Sequence, residues 1–96
     1  MELTIAEWVR ENIEGLMPEQ VFSPPELAHI TTMCEHIYEW ATLDRPLGSF
    51  LTAVVKNDFI SACTLADEIN RKALYIYAMF LLNRIPANKL NWKSGR

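Results

Sequence analysis

His29 and His36 are the side chains best suited to metal or acid–base chemistry, and their spacing argues against it. Seven residues on a helix separate them by two turns, about 10 Å. Histidine pairs that grip zinc from one helix stand four residues apart. Glu35 and Glu39 lie close by, but Cys34 falls on another face. Both histidines are therefore read as solvated or interface residues. Serine, histidine and aspartate all occur, yet no nucleophile elbow frames them. Gly15, Gly48 and Gly95 are isolated, so no glycine-rich loop can cradle a phosphate. No catalytic residue, metal ligand or cofactor is assigned, and the chain is expected to be non-enzymatic.

Two polar constellations remain. Asp67 and Asn70 sit one helical turn apart beside Arg71, and form either a ligand contact or a buried polar junction against the 48–56 segment. The junction is the favoured reading. Arg71, Lys72, Tyr75, Arg84, Lys89 and Trp92 gather bases and aromatics towards the C-terminus. Arginine forks a phosphate and a ring stacks on a base, so this set would suit a nucleotide. A plain solvated basic surface competes with that reading. Residues 48–70 also have the outline of a helix-turn-helix. Its second helix would show Ser61, Thr64, Asp67 and Glu68, with bases only at Arg71 and Lys72. A groove-reading helix is more basic, so DNA is not expected as a partner.

These residues need elements to hold them. Thr4 to Glu7 is a capping box that opens an apolar pattern through Ile5, Trp8, Val9, Ile13 and Leu16, ended by Pro18. The first helix is placed at 4–17. Ser23 to Glu26 is a second capping box with proline at the first helical position, and Leu27, Ile30, Cys34, Ile37 and Ala41 follow at helical spacing over 24–42. After the Asp44-Arg45-Pro46 turn, a short helix spans 48–56, carrying Phe50, Leu51, Val54 and Val55. Gly48 is expected to occupy a tight turn, where valine would cost roughly 1–3 kcal/mol. Asn57 tolerates the left-handed conformation that closes a helix, and Asp58 caps the next. One long helix is then placed at 59–85, with Phe59, Cys63, Ala66, Tyr77 and Leu81 inward, a weak point at Asn70, and a stop at Pro86. Asp67–Arg71 and Glu68–Lys72 have the spacing of acid-first helical pairs. Trp8, Tyr38, Trp40 and Tyr77 are assigned to the core. The fold class is all-α: a compact four-helix bundle over a single domain, 1–96, with a loose tail at 87–96.

The block "PLGSFLTAVVKNDFISACTLADEINRKALYIYAMFLLNRIP", residues 46–86, resembles a group of small accessory proteins of tailed phages and prophages. Pro46, Gly48, Ser49, Phe50, Leu51, Ala53, Val54, Asn57, Asp58, Ala66, Asp67, Asn70, Asn83 and Pro86 carry the likeness. It covers somewhat under half of the chain and leaves the N-terminal half uncovered. The resemblance implies an accessory phage protein with no assigned chemistry, of a kind that binds host factors or counters host defences. A virion-assembly component is the other role it allows.

Charge divides unevenly. Residues 1–44 hold nine acids and one base, net −8, while residues 45–96 hold three acids and eight bases, net +5. Such separation draws two halves together or presents faces of opposite sign to different partners. The longest apolar run, residues 73–82, has ten residues, about half of a membrane span. With two cysteines inside helical patterns and no apolar leader, a cytoplasmic protein with reduced thiols is expected. That apolar run lacks a polar outer face, which predicts a homo-oligomer, a dimer first, with Ile76, Met79 and Phe80 at the contact.

Overall fold

The computed structural model describes residues 3–90 and 92. The described chain is helical, with α1 (Ile5–Leu16), α2 (Pro24–Leu43), α3 (Ser49–Val55), α4 (Phe59–Leu65), α5 (Glu68–Arg84) and a 3-10 turn at Ala87–Lys89. The Cα radius of gyration is 12.8 Å, close to the roughly 13 Å of a folded chain of this length.

Both capping boxes form. The Glu7 backbone N–H donates to Thr4 Oγ1 at 3.1 Å and the Thr4 N–H to Glu7 Oε1 at 2.9 Å. The Ser23 N–H donates to Glu26 Oε1 at 2.8 Å, and the Glu26 N–H returns to Ser23 Oγ at 3.3 Å. The Ser23 bonds hold the Glu26 carboxyl below its ordinary range, the backbone donor contributing most. Asn57 is left-handed at φ 59° and Asp58 accepts from the Ser61 N–H at 3.3 Å, so one dipeptide closes α3 and opens α4.

α2 and α5 pack against each other, and α1 and α3 each touch both. α4 packs chiefly on α3. Trp8 and Phe80 meet edge to face at 5.2 Å, and Phe50 meets Tyr77 in the same manner at 5.9 Å. These two ring pairs tie α1 and α3 to the central helix.

Five helices form where four are expected. The chain leaves helical geometry at Ala66 (φ −71°, ψ 133°), and Asp67 (φ −76°, ψ −176°) caps α5, accepting the Asn70 N–H at 2.8 Å. The Asp67 carboxylate thus serves the helix start. The break lies ahead of Asn70, which sits within the first turn of α5.

Gly48 departs from the tight-turn expectation. Its φ of −69° is open to any residue, and a Cβ there meets nothing within 4 Å. Gly48→Val is therefore expected to cost under about 1 kcal/mol, from poorer N-capping alone. Thermal melts of the two proteins would show it.

The tail expectation also changes. Leu90 is buried, and the Trp92 Nε1–H donates to the Val55 carbonyl at 2.7 Å, satisfying an end group of α3. Positions 91 and 93–96 of the predicted loose tail lie outside the described residues.

Of the predicted oligomer contact, Ile76 and Phe80 are fully buried within the chain itself, beneath α1, α2 and α3, and only Met79 is partly exposed. α5 is the central helix, so most of its apolar run is core. Tyr38, assigned to the core, lies at the surface.

The two halves are joined by the Lys89–Asp44 ion pair at 3.4 Å, which links opposite charges, and by the Arg84 guanidinium, which donates to the neutral Leu3 carbonyl at 3.3 Å. The first is surface-exposed and worth at most about 1 kcal/mol.

Candidate functional site

Two features stand out: a buried polar junction and an open apolar cleft. The junction centres on Asn70, the one buried polar residue among those described. Its Oδ1 accepts the Tyr77 hydroxyl at 2.6 Å and lies 3.2 Å from His29 Nε2, which must carry its hydrogen to donate. Asn70 is therefore fixed from both ends, its N–H on Asp67 and its Oδ1 on two side chains. Asp67 and Asn70 form a junction, as the sequence suggests, but its partners come from α2 and from further along α5. The 48–56 segment reaches it only through the Phe50–Tyr77 ring contact. Burial, reinforced by Cys34 and Asp67 nearby, pushes the Tyr77 phenol up and keeps it a donor. With its acceptor and donors mutually engaged, the junction is a satisfied buried polar network of the kind that rigidifies a core.

Cys34 lies in the core, where burial first and Glu35 second push its thiol up against a smaller opposing pull from Arg84. A thiol so held does not ionise at neutral pH. Cys63 is part-exposed. Under native conditions a thiol reagent is expected to label Cys63 and spare Cys34, with the second thiol appearing on unfolding. Equal native labelling of both would contradict the packing of α2.

The cleft forms because α4 leans on α3 while α3 leans on α5, which leaves space between α4 and α5. It has a volume of about 370 Å³. Val54, Phe59, Leu74, Tyr75, Leu82 and Trp92 line it, and Asn57 and Asp58 stand at one edge. Several of these side chains are open to solvent: Phe59 is 69% exposed, Tyr75 49% and Leu82 45%, and Ile60 beside Phe59 is 71% exposed. Isolated exposed apolar residues are ordinary; Phe59, Tyr75 and Leu82 instead cluster around one recess.

The basic and aromatic set predicted for a nucleotide is dispersed. Arg71 and Lys72 are exposed one turn before Tyr75 on α5. Arg84 lies about 18 Å further along that helix at 1.5 Å per residue, over the Phe80 ring at 6.0 Å. Lys89 pairs with Asp44 and sits 5.9 Å from the Trp40 ring centre. The Trp92 ring shares the cleft with Tyr75, but its N–H is committed to Val55. Of the six, only Tyr75 and Trp92 meet in one recess, and that recess is apolar.

Among the described residues, no group of three or more histidine, cysteine, aspartate or glutamate side chains is placed to hold a metal ion. Among the same residues, no helix is long and apolar enough to cross a membrane. Comparison with protein families, curated proteins and solved structures finds no match to this chain.

Phe59, placed inward by the helical pattern, lies at the surface, as does Ile60 beside it. A continuous helix over 59–85 would hold Phe59 in phase with Tyr77 and Leu81. The break at Ala66–Asp67 releases α4 from that phase. Asp67 was the available signal, since aspartate ahead of a helix is a strong N-cap.

Proposed function

We propose that this chain is a non-enzymatic binding protein of the phage accessory kind, which acts in the host cytoplasm by engaging a host protein through the α4–α5 apolar face. The observation that carries the reading is the exposure of Phe59, Tyr75 and Leu82 around a preformed cleft, with Ile60 exposed next to Phe59 on α4. Large apolar side chains in water are a liability unless something covers them. Aromatic and aliphatic anchors seated in recesses are the usual centre of a protein interface. The phage-like block supplies the setting, because it contributes α3, α4 and α5, the elements that build the cleft. The nucleotide alternative loses support, since its cations point to separate places.

Affinity capture from host lysate tests the proposal, comparing the wild type with a Phe59→Ser/Ile60→Ser variant. Both residues are mainly exposed, so the variant should keep its fold. A protein retained by the wild type and lost by the variant is the expected result. Capture that the variant preserves, or no capture from several hosts, would overturn it.

A further inference from the structure

Resting on the reading of the α4–α5 face as an interaction surface, we infer that in the free protein this face is covered by a second copy of the chain, with the two α5 helices antiparallel about a two-fold axis beside Ala78. The outer strip of α5 runs Arg71, Tyr75, Ala78, Leu82, at spacings of four, three and four. That is the seam spacing by which helices pack side by side. Ala78 is exposed at its middle and small enough for two backbones to approach within about 8–10 Å.

The strip is self-complementary. An antiparallel pair centred between positions 78 and 79 sets Tyr75 of each copy against Leu82 of the other. A contact of i with j and j with i is what a two-fold interface requires. Arg71 lies about seven residues from the axis, so the two Arg71 side chains stand roughly 20 Å apart, beyond the screening length. No like charges meet at the centre. Phe59 lines the cleft beside the strip, and Ile60 is exposed next to it on α4; both would close over the second copy.

The area is sufficient. Phe59, Ile60, Tyr75 and Leu82 together leave on the order of 400 Å² of side chain uncovered per copy. Pairing them removes on the order of 800 Å², and the cleft walls bring the total to the roughly 1,000 Å² that a specific interface needs. A host partner would then compete with the second copy, so that engagement and self-association exclude one another.

Light scattering across the micromolar range should give twice the chain mass for the wild type. Ala78→Glu sets two carboxylates together at the axis and should give the monomer with an unchanged helical circular-dichroism spectrum. In a Cys63→Ser background, Ala78→Cys should form a disulfide-linked dimer when an added copper oxidant takes up the two thiol electrons. A wild-type monomer at high micromolar concentration overturns the inference. So does a dimer that Ala78→Glu leaves intact and Ala78→Cys fails to cross-link. A monomer that still captures a host protein through Phe59 and Ile60 defeats only the self-association. A dimer that captures nothing defeats only the host-binding reading.

Discussion

Phe80→Ala is expected to remove about 3–5 kcal/mol of stability, the usual cost of emptying a buried phenylalanine site. Phe80 is fully enclosed, its ring against Trp8 at 5.2 Å and beneath the Arg84 guanidinium at 6.0 Å. It joins α5 to α1, and α1 has no other large ring from which to rebuild the contact. Domains of this size hold about 5–15 kcal/mol in total, so the variant should melt at least about 12 °C lower or fail to fold at body temperature. Leu82→Ala, two residues along the same helix but 45% exposed, should shift the monomer's melting temperature little. The contrast separates the inner and outer faces of an apolar run that the sequence alone leaves undivided. Equal effects at both positions would contradict the central placement of α5.

Asn70→Leu carries the second large effect. It leaves the Tyr77 hydroxyl, fully buried, without its acceptor, and such a stranded group costs about 1–3 kcal/mol. Tyr77→Phe should cost less, about 0.5–1.5 kcal/mol, because Asn70 keeps His29 as a donor. The double variant should be no worse than Asn70→Leu alone, since no phenol remains to be stranded. Urea unfolding of the three proteins tests this. Strictly additive losses would show that Asn70 and Tyr77 act independently, against the junction as described.

The parts of this fold written in local chemistry were readable from the residues. Two capping boxes, the Asn57-Asp58 hinge and the proline stops place the ends of α1, α2 and α3 within one residue or so. The break between α4 and α5 was hidden because Asp67 and Arg71 also have the spacing of a helical ion pair, and the same aspartate reads as either. The junction was half legible. Asp67 and Asn70 share a turn, but His29 lies 41 residues from Asn70, and no local pattern reports that approach. The cleft was least legible, because it exists only where α4 follows α3 instead of α5. Apolar periodicity marks Phe59 as inward in either case, and tertiary packing decides.

The α4–α5 face is the proposed place where this protein binds. Hydrogen-exchange mass spectrometry addresses it directly, comparing the captured complex with the free protein diluted until light scattering shows the monomer. Slower exchange confined to segments 53–62 and 74–82, with α1 and α2 unchanged, is the predicted result. Protection on the acidic surface of α1 and α2, with α4 and α5 exchanging as before, would contradict it.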